Sequence, residues 1–143
     1  MRDERSYKTL REIGIENKNV KVTADPALDL DIADEKLGKA ILKNEGVPSD
    51  KKLLGVSVRK WQNLGSDFET QIANACDYAY EKYGYYTVFL PMQSSRDTAI
   101  MQNIKRKMKH ESAIIKKRYS VEGMLSIIKC FDMCCLLYTS DAA

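Results

Sequence analysis

The sequence predicts an α/β fold with a Rossmann-like parallel sheet, and three features carry that prediction. Apolar, β-branched runs at residues 53–58 and 86–90 indicate two buried strands, and Pro91 ends the second. Between them, residues 67–84 show the apolar spacing of an amphipathic helix. Buried strands that alternate with amphipathic helices are typical of a parallel sheet covered on both faces.

Residues 1–31 are predicted to contain one helix and one short strand. The helix begins almost at once and ends at Gly14, since a glycine commonly closes a helix at its C-terminus. A β-branched run at residues 20–23 indicates the strand. The acidic, loop-like residues 28–33 suit a linker to the segment that follows.

A second helix is predicted before the first buried strand. Asp34 is a typical N-cap residue, and the apolar spacing that follows predicts a helix that runs to Asn44. Residues 46–50 are rich in turn-forming types and deliver the chain into the strand at residue 53.

The alternation continues after the second strand. Ser95 or Asp97 is predicted to cap a helix over residues 98–109, and a short third strand is predicted at residues 113–115. This pattern extends the same parallel sheet by one strand.

A further helix is predicted to start after Ser120, which has the character of an N-cap. Its expected buried face consists of Val121, Met124, Leu125, Ile128 and Phe131. A fourth strand is expected directly after Met133. The chain therefore corresponds to more than one Rossmann-like lobe, with the second lobe interrupted.

The predicted domain organisation follows from these elements. Residues 1–31 are expected to be the C-terminal remnant of a first Rossmann-like lobe with a linker, and residues 32–134 a truncated second lobe. Residues 135–143 match the translation of a sequencing adapter, so they are expected to be a non-native tail that adds no regular element.

Composition sets broad limits on function. The chain has 143 residues, of which 44% are apolar and 30% charged, values that are ordinary for a soluble globular domain. No apolar run approaches the roughly 18 residues that a membrane-spanning helix needs. With no leader pattern at the start, a cytoplasmic location is expected. The net charge of +3 permits an anionic substrate without requiring one.

Metal and disulfide chemistry are not expected. Cys135 falls in the predicted tail, and His110 is the sole histidine, so a zinc site would lack ligands. Cys76 and Cys130 lie on apolar helix faces, where a free cysteine is usually a small buried hydrophobe. No cofactor is therefore expected.

The candidate ligand site lies at the carboxyl ends of the strands, where ligands bind in parallel sheets. Arg59 and Trp61 follow the first strand, and Gln93 follows the second. An arginine suits a carboxylate or phosphate, and a tryptophan can stack on a sugar. A surface ion pair for Arg59 and a core-covering role for Trp61 are open alternatives. For Asp97, capping of the next helix is preferred over contact with sugar hydroxyls.

Four segments together resemble the polysaccharide pyruvyl transferases, and in particular the bacterial cell-wall (CsaB-type) branch. They occur in the same order as in that family: Arg-Asp-Glu-Arg-Ser at residues 2–6, Val-Thr-Ala-Asp-Pro-Ala at 22–27, Leu-Gly-Val-Ser-Val-Arg-Lys-Trp at 54–61, and Phe-Leu-Pro-Met-Gln at 89–93. The resemblance covers residues 1–133. It implies that the α/β unit is an incomplete piece of a two-lobed GT-B-like architecture.

The resemblance also implies a reaction. The family transfers the carbon skeleton of phosphoenolpyruvate to two hydroxyls of a sugar, and the acceptor in this branch is a lipid-linked saccharide precursor of a cell-wall polymer. Peripheral membrane association of the parent protein is compatible with such an acceptor. Arg2 matches the arginine of the family's Arg-Asp-x-x-Ser motif and is implied to bind the donor.

One departure from the family concerns the general acid. The histidine expected in that role belongs to an Arg-Leu-His motif on the strand after the predicted helix that includes Phe131, and this motif is absent here. His110 instead lies in a basic helix end, where cations are favoured. The catalytic residue is thus unassigned, and residues 1–143 alone are expected to be inactive.

Two other classes compete with this interpretation. A glycosyltransferase of the same two-lobed architecture would use a nucleotide-sugar, and fold alone does not separate the two. The basic runs at residues 105–109 and 116–118 would suit an anion- or nucleic-acid-binding module. Because no aromatic residues interleave with the basic ones, solvated helix and strand ends explain the runs better, and no nucleic-acid partner is expected.

Overall fold

The computed structural model describes residues 1, 3–25, 30, 33–59 and 67–136. The chain divides into two compact units, Met1–Asp31 and Ile32–Ala143. In the first unit, helix α1 spans Glu4–Glu12, and the Asp3 side chain caps it by accepting from the Ser6 N–H at 2.7 Å. Gly14 follows the helix with a φ of 84°, as the sequence predicts for a helix end.

The strand predicted at residues 20–23 is wrong, because residues 20–25 have no regular secondary structure. Their main chain bonds instead to Met1 and to the preceding turn, where the Val20 N–H donates to the Asn17 carbonyl at 3.2 Å. The Thr23 N–H donates to the Met1 carbonyl at 2.7 Å, and the Met1 amino group donates to the Lys21 carbonyl at 2.7 Å. A β-branched run becomes a strand only when a partner strand lies beside it.

The second unit alternates helices and strands: α2 (Glu35–Asn44), β1 (Lys52–Ser57), α3 (Phe68–Tyr83), β2 (Tyr85–Phe89), α4 (Ser94–Lys107), β3 (Ser112–Ile114), α5 (Val121–Lys129) and β4 (Met133–Leu136). The strands form one four-stranded sheet in the order β3-β2-β1-β4, and every neighbouring pair is parallel. The predicted α/β fold with a Rossmann-like parallel sheet is confirmed.

The helices cover both faces of this sheet. α3 and α4 pack together over one core, which is centred on Val56, Phe89 and Met101. α2 and α5 pack together over the other, which is centred on Val88 and Ile127. From β1 to β3 the chain crosses over through α3 and α4 on one face of the sheet. It then returns to β4 through α5 on the opposite face, so the three crossover connections have the same handedness.

This return places a topological switch point between β1 and β4. In open parallel sheets, ligands bind in the crevice outside the carboxyl ends of the strands at such a point. The strand order therefore indicates that a ligand would bind next to the residues that follow β1.

Several helix ends follow the predicted capping chemistry. The Asp34 carboxylate accepts from the Lys36 N–H at 2.8 Å, and Gly84 closes α3 with a φ of 73°. Ser120 caps α5 by accepting from the Gly123 N–H at 3.2 Å. These ends are local in sequence, which explains why sequence patterns predict them.

The start of α4 was predicted wrongly. The helix begins at Ser94 with Gln93 as its N-cap, so neither Ser95 nor Asp97 is the capping residue. The Asp97 carboxylate lies one turn inside the helix and accepts from the Gln93 main-chain N–H at 2.7 Å. Because this bond satisfies a first-turn donor from inside, the helix can start earlier. Asp97 thus stabilises the helix start, although not from the N-cap position.

The buried face of α5 agrees only in part with the expected one. Met124, Ile128 and Phe131 are partly buried and pack against the core, as expected. Val121 is 63% exposed, whereas Ile127 is fully buried at 0%. The residues that α5 buries are Gly123, Ser126 and Ile127. α2 crosses α5 at close range there, because a Cβ placed on Gly38 would lie 2.1 Å from the Ser126 carbonyl oxygen. Small residues permit this close approach, so α5 contacts α2 through the face that carries Gly123 and Ser126.

The fourth strand expected after Met133 is present as β4, paired in parallel with β1. β4 is an edge strand, and all its residues are exposed. The expectation that residues 135–143 add no regular element is wrong for Cys135 and Leu136, which pair with Val56 and Ser57. Residues 137–143 lie outside the described part.

Candidate anion-binding site at the carboxyl edge of the sheet

The parallel strands bring the residues that follow them to one edge of the sheet. The Leu90 N–H donates to the Val56 carbonyl at 2.9 Å, and the Ile115 N–H donates to the Phe89 carbonyl at 3.0 Å. These bonds continue the ladder past the ends of β2 and β3. The segments that carry Arg59, Gln93 and Lys116 are therefore held side by side.

Arg59 and Gln93 meet through Asp97. The Asp97 Oδ2 accepts from the Gln93 main-chain N–H at 2.7 Å, and its Oδ1 lies 3.6 Å from the Arg59 Nε. Asp97 is only 1% exposed, and the Arg59 side chain is 48% exposed. The structure thus joins two of the sequence-predicted site residues through a buried carboxylate.

The contact of Arg59 with Asp97 is made at the guanidinium Nε and not at the two terminal amino groups. Among the described residues, Asp97 is the ion-pair partner of Arg59, and no hydrogen bond occupies its two terminal amino groups. These groups form a planar fork that matches a carboxylate or a phosphate. The exposed Gln93 side chain adds amide donors and an acceptor on the neighbouring strand end.

Arg2 and Trp61 lie outside the described residues, so their roles stay predictions. Arg59 and Gln93 are the predicted site residues whose surroundings the structure describes. Both lie at the edge that the sequence indicated.

Sequence reasoning missed the pairing of Arg59 with Asp97. For Asp97 the sequence favours helix capping over contact with sugar hydroxyls, because capping depends only on neighbours in sequence. The available signal was topological: the carboxyl ends of β1 and β2 adjoin in a parallel pair, so a cation after one strand and an acid after the next can meet.

A second cluster lies beside the end of β3. The Glu45 carboxylate accepts from the main-chain N–H of Lys116 at 2.9 Å, from that of Lys117 at 3.2 Å, and from the Tyr119 hydroxyl at 2.7 Å. Burial alone would raise the pKa of Glu45, but these donors outweigh it and hold that pKa below its ordinary value. The cluster fixes the end of α2 to the strand edge and leaves the lysine side chains exposed.

Burial, with a further contribution from the hydrogen bond to Glu45, raises the pKa of Tyr119 to about 12. Since this pKa is raised on folding, the related stability is fully present below the unfolded value of about 10 and is lost as pH rises through about 12. In a Glu45→Gln variant we expect Tyr119 to titrate at a lower pH, because the carboxylate's charge no longer opposes the phenolate.

The measurement is a tyrosinate absorbance titration of the folded protein. A Tyr119→Phe variant identifies which part of the signal belongs to Tyr119. An identical high-pH titration in wild type and Glu45→Gln would contradict the assigned coupling.

His110 lies at the opposite edge of the sheet. It precedes β3, its Nε2 lies 3.1 Å from the Glu81 Oε1, and its ring stacks on Tyr80 with centroids 4.2 Å apart. The main-chain N–H of His110 also donates to the Asp77 carboxylate at 3.1 Å. The strands separate this position from Arg59 by more than about 15 Å. His110 is therefore not placed to act on a ligand of Arg59.

The basic run at residues 105–109 is largely bonded within the fold. Lys105 donates to the Ser112 carbonyl, and Lys107 lies 3.2 Å from a Glu69 carboxylate oxygen. Arg106 donates to the Asn103 side chain. These contacts agree with the interpretation of the run as a solvated helix end.

The buried thiol of Cys76 is chemically inert in character. Burial raises its pKa to about 11, so it stays protonated at neutral pH. Among the described residues, no group of three or more potential metal ligands comes together.

The fold and the site together define an α/β protein whose parallel sheet presents an arginine fork at its carboxyl edge, beside a topological switch point. A comparison with protein families identifies the chain further: the model of the polysaccharide pyruvyl transferase family matches residues 1–135. The chain belongs to the polysaccharide pyruvyl transferase family, and its family activity is that of a transferase. The family name implies a saccharide as acceptor.

Searches among curated proteins and among solved structures returned no significant match. In the part of the chain that the structure describes, every helix is too short or too polar to cross a bilayer.

Proposed function

We propose that the protein is an enzyme that forms a pyruvate ketal on a cell-wall saccharide precursor, with phosphoenolpyruvate as donor. The family match over residues 1–135 is the observation that carries this proposal. Two sugar hydroxyls add to the enol carbon that bore phosphate, the carbon–oxygen bond to phosphate breaks, and inorganic phosphate leaves. The two hydroxyls lose one proton each. One is balanced by the proton that the methylene carbon gains to become a methyl group, and the other leaves with the phosphate, so the product is a cyclic ketal.

The donor chemistry explains why an arginine fork at the strand edge is useful. Phosphoenolpyruvate carries a phosphate and a carboxylate on adjacent atoms, and each group binds well to a guanidinium. In our proposal the terminal amino groups of Arg59 bind one of these anions. Arg2 and Trp61 are proposed from the family resemblance as further donor and sugar contacts, and the Gln93 amide is proposed to bind a sugar hydroxyl.

Protonation of the methylene carbon requires a proton donor, that is, a general acid. This protonation generates the oxocarbenium-like centre that a sugar hydroxyl then attacks. The position of His110 argues against that residue in this role. We propose that the acid is a histidine of an Arg-Leu-His motif, as in the family, on a native segment that takes the place of the expected non-native tail, residues 135–143, from β4 onward. This enzyme is two-lobed and GT-B-like, and residues 32–134 contribute its second lobe. The protein that contains this segment is called the extended enzyme below.

We further propose that the acceptor is a lipid-linked saccharide and that the enzyme meets it at the cytoplasmic face of the membrane. The exposed cations on the sheet edge, Lys116 and Lys117 among them, would favour approach of anionic substrates. No cofactor is needed for this reaction, since the donor itself supplies the activated carbon.

The proposal is tested by donor choice. The extended enzyme is incubated with a saccharide acceptor and either phosphoenolpyruvate or a nucleotide-sugar, and the product is analysed by mass spectrometry together with phosphate release. We expect a pyruvate ketal and stoichiometric phosphate with phosphoenolpyruvate only. Activity with the nucleotide-sugar and none with phosphoenolpyruvate would overturn the proposed function in favour of a glycosyltransferase.

Residues 1–143 alone are expected to show no turnover in the same assay. The physical reason is that their sole histidine lies at the edge of the sheet opposite Arg59. Ketal formation by residues 1–143 at the rate of the extended enzyme would show that another residue protonates the donor.

A further inference from the structure

Asp97 is an unusually buried carboxylate for a residue at a ligand-binding edge. It is 1% exposed, and acidic side chains are almost never so buried without a partner. Its Oδ2 is bonded to the Gln93 main-chain N–H at 2.7 Å. Its Oδ1 is buried and has no hydrogen-bond partner among the described residues. The charge that the structure places near Oδ1 is the Arg59 guanidinium, with Nε at 3.6 Å.

The two partners of this ion pair are held very differently. Asp97 is fixed by burial, by its place in the first turn of α4 and by the bond to Gln93. Arg59 follows the end of β1, and its side chain is half-exposed. A long, exposed arginine would otherwise lose much rotamer freedom on binding a ligand. A fixed anion beside its Nε restricts that freedom beforehand.

The geometry of the contact matters as much as its charge. The Asp97 contact is at the guanidinium Nε, so the two terminal amino groups can face a second anion. A carboxylate that faced those terminal groups would instead compete with the ligand. The arrangement therefore suits a residue that orients Arg59 and does not occupy its binding surface.

We propose that Asp97 is a positioning residue, which holds the Arg59 guanidinium ready for the phosphate or carboxylate of the donor. This inference rests on the proposed function, in which Arg59 binds phosphoenolpyruvate. Asp97 itself touches neither donor nor acceptor in this proposal.

A competing effect has the opposite sign. The negative charge of Asp97 also repels an anionic donor, so removal of the charge could tighten binding. The Arg59 guanidinium would lie between Asp97 and the donor anion, so its attraction to both offsets much of this repulsion. Without the fixed anion, the long arginine side chain must be ordered when the donor binds, which weakens donor binding. We expect orientation to outweigh repulsion.

An Asp97→Asn variant separates positioning from helix capping. The asparagine carbonyl can still accept from the Gln93 N–H, so the start of α4 is retained while the charge facing Arg59 is lost. Asp132→Asn is a matched control. Asp132 also accepts from a main-chain N–H, that of Leu53 at 2.8 Å, but at the amino edge of the sheet.

The test compares steady-state kinetics of the extended enzyme and its variants with phosphoenolpyruvate. In Asp97→Asn we expect KM for the donor to rise about five- to tenfold, a part of the about ten- to hundredfold effect of a charged hydrogen bond. The kcat should change little, and Asp97→Glu should recover part of the loss. Asp132→Asn should keep the wild-type KM.

A double variant tests whether Asp97 acts through Arg59. Asp97→Asn should add nothing to Arg59→Ala, because no guanidinium remains to be positioned. An unchanged or lower donor KM in Asp97→Asn, or losses that simply add in the double variant, would overturn the inference.

The same variants distinguish failure of this inference from failure of the proposed function. If the wild-type enzyme uses a nucleotide-sugar in place of phosphoenolpyruvate, the proposed function is wrong. A raised KM for that nucleotide-sugar in Asp97→Asn, absent in the Arg59→Ala background, would still support the positioning role.

Discussion

Replacement of Arg59 by alanine is expected to lower kcat/KM for phosphoenolpyruvate by about ten- to a hundredfold, since a charged hydrogen bond contributes about 1.5–3 kcal/mol. The variant removes the whole fork that lies beside the end of β1. It also leaves the buried Asp97 carboxylate without its ion-pair partner. Steady-state kinetics of the extended enzyme measure the effect, with circular dichroism as a check on folding.

Arg118→Ala is the matched control for this experiment. Arg118 is exposed and follows β3, at the same edge of the sheet as Arg59 but beyond β2. Both variants lower the net charge equally, so a general loss of electrostatic attraction would affect them alike. Arg59→Lys keeps the charge without the fork and should recover only part of the activity. Wild-type kinetics in Arg59→Ala would remove Arg59 from the site, although the fold would stand.

Replacement of Gly38 by alanine is expected to destabilise the second unit by about 3 kcal/mol, the upper part of the usual range for overpacking. An added Cβ would lie 2.1 Å from the Ser126 carbonyl oxygen and 2.7 Å from the Cys130 Sγ. The oxygen belongs to the main chain of α5, so the helices must separate to relieve the contact. For a chain of this size, such a loss lowers Tm by about 6–12 °C.

Gly123→Ala provides the comparison, because it is also a glycine-to-alanine change within a helix. Its added Cβ would lie 3.1 Å from the Tyr119 Cβ, a much milder contact. The gain in helix propensity, at most about 1 kcal/mol, opposes the small strain. Thermal or urea unfolding of both variants tests the difference. Equal stabilities would show that α2 and α5 do not approach as closely as the structure indicates.

The local elements of this chain are well predicted from its residues. The β1 and β2 runs are apolar and β-branched, Gly84 closes α3, and Ser120 caps α5. Each of these features depends on residues a few positions apart, and the physical preferences behind them act within that range. The alternation of strands and helices then leaves a parallel sheet as the favoured arrangement.

The predictions that are wrong concern features that depend on contacts between residues far apart in sequence. Val121 was expected to be buried, yet α5 turns Gly123 and Ser126 toward α2 because the small residues admit close packing against Gly38. Residues 20–23 have strand-like composition, but no strand of the described part of the chain pairs with them. In both cases the outcome depends on a partner that no short-range pattern contains.

The candidate site also has features that depend on local sequence and features that depend on long-range contacts. Periodicity and the edge rule for parallel sheets were sufficient to indicate Arg59 and Gln93, since both directly follow a strand. The link through Asp97 required the pairing of β1 with β2, which brings residues 38 positions apart to within 3.6 Å. The packing of the whole core determines the strand order and the crossing of the helices. The distances between side chains of the site therefore also depend on residues that are far apart in sequence.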